Sequence, residues 1–121
     1  MPGSCDNVFV PFLEKHSGKK LKKDFGVAYN PEFIAIGSVI ENFLNPDMVL
    51  VGESDNQTGD ILEGIYRGTC TNQPHIARTS LINAEIAKLS INCYCTMKIS
   101  FANNLAAICD HEAGEIGRAH V

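Results

Sequence analysis

The sequence lacks the patterns that mark several classes of protein. It has no C-x-x-C pair, which argues against zinc-ribbon and thioredoxin-like chemistry, and no metal site is predicted. Its apolar runs are far shorter than the roughly 20 residues of a membrane span. It has no charged-then-apolar segment typical of a secretory signal. We therefore expect no membrane association and a cytoplasmic location.

An excess of positive charge is also missing. The chain has 10 Lys and Arg against 14 Asp and Glu, which gives a net charge of -4. Such a balance creates no general field that would attract nucleic acid, so no nucleic-acid partner is expected. The lysines between positions 19 and 23 are typical of a solvated loop. The five cysteines are an odd number, and we expect reduced, mostly buried thiols.

Strand-like and helix-like segments alternate over the first 79 residues. Continuous apolar runs predict buried strands at 25–29 and 48–52, and a third short strand is predicted at 74–78. Helical periodicity lies between them, beginning with a helix that Ser4 caps and Gly18 ends. Further helical patterns are predicted from Ser38 and around the apolar set Ile61, Leu62, Ile65 and Tyr66, which should face inward. This alternation predicts an α/β fold with a mainly parallel sheet covered on both faces.

One long helix is predicted from Ser80 to His111. This segment contains neither Gly nor Pro, and its apolar residues recur at steps of three and four with one longer step of eight. At 1.5 Å per residue it would be about 45 Å long. A second face of the helix is also apolar, so we expect it to be buried both by its own sheet and by a second subunit.

Three polar residues occupy positions suited to chemistry. Glu32 directly follows the predicted strand at 25–29, where a carboxylate can act as a general base. Lys88 and Asn92 are four residues apart on the long helix, which places an ammonium group and an amide on one face. Together they could donate hydrogen bonds to one developing oxyanion. Without further context, Glu32 is equally compatible with a solvated loop. Lys88 and Asn92 are equally compatible with an ordinary helix surface.

Two ordered motifs give these residues a context. The segments YNPEF at 29–33, GS at 37–38 and FLNPD at 43–47 resemble the central part of UDP-glucose and GDP-mannose dehydrogenases. The block AEIAKLSIN at 84–92 is similar to the central helix of the same family. The resemblance extends from Met1 to about Gly114.

The resemblance implies a particular architecture and activity. Residues 1–79 would form the end of a Rossmann-type NAD domain, with a parallel sheet and covering helices. Residues 80–114 would form a central dimerisation helix, so a homodimer is expected. Enzymes of this family use NAD to oxidise the C6 alcohol of a nucleotide-sugar substrate to a carboxylate, through an aldehyde and a thioester.

Individual roles follow from the resemblance. Glu32 resembles the acid/base that handles water during thioester hydrolysis, and it is also the expected contact with the cofactor. Lys88 and Asn92 resemble the pair that stabilises the oxyanions. Phe33 and Ile34 would bind the nucleotide sugar, largely through their backbones. Many family members have a second acid four residues after the first, but this chain has Ile36 there.

Parts of the family's machinery have no match in the sequence. No G-x-G-x-x-G phosphate-binding turn occurs, nor does the glycine-rich motif that carries the catalytic thiol. Cys93 and Cys95 lie on the predicted long helix and are interpreted as packing residues. We therefore expect an internal fragment that is inactive by itself. Met1 would be an internal methionine, and residues 115–121 would be a non-native tail.

Two alternatives remain open from the sequence. A β-hydroxyacid-type NAD dehydrogenase also joins a dinucleotide domain to a long helix with Lys and Asn four apart, although the Asn-Pro-Glu-Phe motif argues against it. A non-catalytic dimerisation module would need the long helix but not the three polar residues.

Overall fold

A computed structural model of the protein describes residues 1–33 and 37–112. The chain divides into two compact units, the first from Met1 to Lys88 and the second from Leu89 onward. Ile34, the predicted tail at 115–121 and the last two residues of the predicted 80–114 segment lie outside the described residues.

The first unit is built on a three-stranded mixed sheet. Its strands are β1 (Ala28–Tyr29), β2 (Met48–Glu53) and β3 (His75–Ser80), in the spatial order β1-β2-β3. β2 and β3 are parallel over their whole length, as the alternation predicted, whereas β1 joins β2 in the antiparallel direction. β1 is also shorter and less buried than the strand predicted at 25–29. Its two residues, Ala28 and Tyr29, pair with Glu53 and Gly52 of β2, so few backbone hydrogen bonds hold β1 in the sheet.

Within the described residues four α-helices accompany the sheet, namely α1 (Val10–Ser17), α2 (Val39–Leu44), α3 (Asn56–Thr69) and α4 (Leu81–His111). A π-helical turn at Cys5–Phe9 leads into α1. Gly18 ends α1 in the left-handed conformation, with φ of 69°, which confirms the predicted cap. The prediction that Ser4 caps this helical segment is wrong. The Ser4 hydroxyl donates to the Met1 carbonyl oxygen instead.

The centre of β2 is the core of the first unit. Val49, Leu50 and Val51 are buried, and Leu81 and Ala84 from the start of α4 are buried as well. The apolar face predicted for α3 is less buried than expected, because Ile61 and Ile65 are exposed. Asp55 caps α3, with its carboxylate accepting the Thr58 N–H at 2.9 Å.

The part of the second unit that the structure describes is the continuation of α4. The described side chains of α4 from Leu89 onward are mostly exposed in the single chain, so the predicted burial of a second face by another subunit stays a prediction. Cys93 and Cys95 are exposed rather than buried, whereas Cys5 and Cys70 follow the prediction. None of the helices that the structure describes is long and apolar enough to cross a membrane.

Candidate active site

The loop that leaves β1 is fixed at its first residue. The Asn30 side-chain amide donates to the Leu50 carbonyl oxygen at 2.9 Å, which ties the loop to the central strand. The side-chain oxygen of the same residue, Asn30 Oδ1, accepts a hydrogen bond from the Tyr66 hydroxyl of α3 at 2.5 Å. Burial raises the pKa of Tyr66 and the nearby Glu32 charge adds to this, although its bond to Asn30 opposes both. The hydroxyl therefore stays protonated and donates at neutral pH.

Lys88 meets this loop from helix α4. Its ammonium group donates a hydrogen bond to the backbone carbonyl oxygen of Glu32. The same nitrogen lies 4.7 Å from the centre of the Phe33 ring, which is within the range of a cation–π contact. Lys88 is half-buried, while Glu32 and Phe33 are exposed. A cation held by a carbonyl oxygen and an aromatic face is positioned beside an exposed carboxylate.

Glu85, three residues before Lys88, fixes the start of α4. It is 5% exposed, and its carboxylate accepts the backbone N–H groups of Gly3 and Cys5, the latter at 2.9 Å. It thus caps the π-helical turn in place of Ser4. Burial and the Glu85 carboxylate raise the pKa of the Cys5 thiol to about 11, so this thiol remains protonated.

The pKa of Glu85 is lowered despite its burial. Desolvation alone would raise this pKa, but the hydrogen bonds from Cys5 and Gly3 outweigh it. A carboxyl group whose pKa is depressed by folding stabilises the fold above its unfolded pKa. That contribution is lost as the pH falls through the folded value.

Replacing Glu85 by glutamine is therefore expected to lower the free energy of unfolding at neutral pH by about 2 kcal/mol, because hydrogen bonds to a charged acceptor are lost. The difference from the wild type should shrink as the pH drops below the ordinary glutamate value of 4.5. Urea unfolding at several pH values measures both effects. Asp110→Asn, at an exposed position of α4, is the matched control. A pH-independent difference would contradict the assigned role of the charge.

The structure brings three of the predicted residues together, namely Glu32, Phe33 and Lys88. Ile34 lies outside the described residues. Asn92 belongs to the second unit, where its side chain is exposed and its backbone carbonyl accepts the Thr96 hydroxyl at 2.9 Å. Sequence reasoning missed Glu85, although an acidic residue in an otherwise apolar stretch of helix was a signal.

A complete NAD site does not arise from the described residues. A dinucleotide pyrophosphate is held at a glycine-rich turn between a strand and a helix, and the sequence has no G-x-G-x-x-G. Glu32 is the predicted cofactor contact, and its exposed side chain leaves its carboxylate accessible to a ligand. The described residues therefore offer an accessible carboxylate for a cofactor contact but no glycine-rich phosphate cradle.

Comparison with known proteins identifies the family. Residues 1–70 match the model of the UDP-glucose/GDP-mannose dehydrogenase family, NAD binding domain, and residues 82–117 match the central domain of the same family. The chain belongs to the UDP-glucose/GDP-mannose dehydrogenase family. Its first 70 residues are accordingly part of an NAD-binding domain with a Rossmann-type fold.

Two individual relatives show how similar the chain is to known enzymes of this family. The GDP-mannose 6-dehydrogenase of Pseudomonas aeruginosa is 42% identical over 108 residues, which cover 89% of this chain and 24% of the relative. The UDP-glucose 6-dehydrogenase of Rickettsia bellii is 34% identical over 95% of this chain and 25% of its own length.

The crystal structure of a ternary complex of the P. aeruginosa GDP-mannose dehydrogenase superposes with a TM-score of 0.85 at 38% identity, covering 95% of this chain and 26% of that one. The chain thus spans about a quarter of the length of these relatives.

Proposed function

We propose that the chain is an internal part of an NAD-dependent nucleotide-sugar 6-dehydrogenase, which oxidises the C6 alcohol of its substrate to a carboxylate through an aldehyde and a thioester. The observation that carries the proposal is the placement of the Lys88 ammonium group against the backbone of Glu32 and the ring of Phe33. Its family membership adds to this support.

The residues of the chain divide the work as follows. The Lys88 ammonium group stabilises negative charge that develops on the C6 oxygen, with the Asn92 amide as a second donor. The Glu32 carboxylate takes a proton from the water that releases the carboxylate product. The backbones of Phe33 and Ile34 bind the nucleotide sugar. Bound NAD would supply the hydride acceptor, with one NAD molecule needed for each of the two hydrides that leave C6.

The described residues form only part of this machinery, so the 121-residue chain alone should turn over no substrate. The test uses the longest natural protein that contains these residues, called the parent protein below. NADH formation is measured with GDP-mannose, UDP-glucose and a small β-hydroxyacid. We expect turnover of a nucleotide sugar, with GDP-mannose preferred because the GDP-mannose relative is the more similar of the two.

Activity on the β-hydroxyacid alone would favour the other dehydrogenase class. Turnover by the isolated chain would contradict its proposed inactivity. If the longest natural protein is this chain itself and it shows no dehydrogenase activity, that result would favour the dimerisation module.

We also propose that the parent protein is a homodimer that uses α4 as its interface. The second unit carries large apolar side chains that are exposed in the single chain, and their burial against a second copy would remove them from water. These side chains are Leu89, Ile91, Tyr94, Met97, Ile99, Phe101, Leu105 and Ile108.

A further inference from the structure

We infer that Tyr66 is a positioning residue for the active-site loop, acting through its hydrogen bond to Asn30. The inference rests on the proposed function, and it adds a residue of α3 to a site otherwise made from the β1 loop and α4.

Asn30 is the junction between two anchors. Its amide nitrogen donates to the Leu50 carbonyl oxygen at 2.9 Å, and its oxygen accepts the Tyr66 hydroxyl at 2.5 Å. The first bond fixes the distance of the loop from β2. The second fixes which way the Asn30 amide faces, because it requires the oxygen to point toward α3. Two residues further along the loop, the backbone carbonyl oxygen of Glu32 accepts a hydrogen bond from the Lys88 ammonium group.

The surroundings of Tyr66 hold its hydroxyl in place. The Tyr66 and Phe43 rings pack with their centres 6.3 Å apart and an angle of 44° between them. One cleft is lined by both rings together with Asn30, Glu32 and Phe33. Burial raises the pKa of Tyr66, so the group remains a donor over the physiological range. A rigid, protonated donor is suited to fixing an amide that starts a catalytic loop.

The test replaces Tyr66 by phenylalanine in the parent protein, which removes one oxygen and keeps the ring against Phe43. We expect kcat with the nucleotide sugar to fall about 10- to 100-fold, the cost of a misplaced catalytic group, with a smaller change in KM. Thr69→Val removes an exposed hydroxyl of the same helix, one that donates only to the Ile65 carbonyl oxygen, and should leave kcat unchanged. In a double-mutant cycle, Tyr66→Phe should add little to Asn30→Ala, because Asn30→Ala already removes the acceptor of the Tyr66 hydroxyl.

Hydrogen exchange provides a readout that is independent of turnover. Amides of the peptide that contains Glu32 and Phe33 should exchange faster in Tyr66→Phe than in the wild type or Thr69→Val. An active wild type with unchanged kcat and unchanged exchange in Tyr66→Phe would overturn the inference and leave the proposed function standing. Lost stability with unchanged kcat would also overturn it, since that is the result of a purely structural role. Absence of nucleotide-sugar turnover in the wild type would instead overturn the proposed function.

Discussion

Replacement of Lys88 by methionine is expected to lower kcat of the parent protein by about 10²- to 10³-fold, the usual loss when one donor to a developing oxyanion is removed. Methionine keeps most of the apolar stem and removes the charge. The loss should appear in kcat more than in KM, because the stabilised charge develops in the transition state. Steady-state NADH formation with saturating nucleotide sugar measures it.

The matched control for this prediction is Lys98→Met. Lys98 is exposed on the same helix, where its nitrogen lies 5.6 Å from the centre of the Tyr94 ring. Its removal eliminates an equal charge and a similar cation–π contact that involves neither Glu32 nor Phe33. We expect kcat of this variant to stay within about twofold of the wild type, as surface substitutions usually do. Equal losses in both variants would show that the helix needs its overall charge rather than the ammonium group at position 88.

Much of the scaffold around Lys88 could be predicted from sequence because the relevant signals are local. A segment without Gly or Pro and with helical periodicity gave α4, and a continuous apolar run gave β2. Both elements occur close to their predicted bounds. The roles of Glu32, Lys88 and Asn92 came from a family resemblance and stay predictions until activity is measured.

The contacts that position the site could not be predicted from local sequence patterns. Glu85 accepts backbone N–H groups from residues about 80 positions earlier, and Tyr66 donates to Asn30 across 36 positions. Periodicity assigns a residue to a helix face but does not identify its partner on another element. Tyr66 was therefore assigned only to an inward face, although a buried tyrosine hydroxyl usually has a hydrogen-bond partner.

Burial was the least predictable property. Ile61, Ile65, Cys93 and Cys95 were all expected inside, and all are exposed in this chain. An apolar side chain indicates a surface that some partner can cover, but it does not specify whether that partner lies within the same chain. The proposed α4 dimer offers a cover for the two cysteines.

The second large effect concerns Gly52, at the point where β2 meets the first turn of α4. A β-carbon added there would lie 2.7 Å from the Ala84 Cβ, 3.1 Å from the Leu81 Cα and 3.3 Å from the Ser80 carbonyl oxygen. These atoms belong to the backbone or are attached directly to it, so no side-chain rotation can make room. Gly52→Ala must push α4 away from the sheet, and we expect it to lower the free energy of unfolding by about 3 kcal/mol.

Gly64→Ala tests whether this loss comes from the close contact or from the change of residue type. A β-carbon at Gly64, inside α3, would meet nothing within 4 Å. There alanine should raise the free energy of unfolding by about 0.5–1 kcal/mol, because it loses less conformational entropy in a helix than glycine does. Urea unfolding should thus show that the free energy of unfolding falls in Gly52→Ala and rises in Gly64→Ala, relative to the wild type. An unchanged or raised free energy of unfolding in Gly52→Ala would refute close packing at Gly52, and with it the view that the glycine sets the position of the helix that carries Lys88.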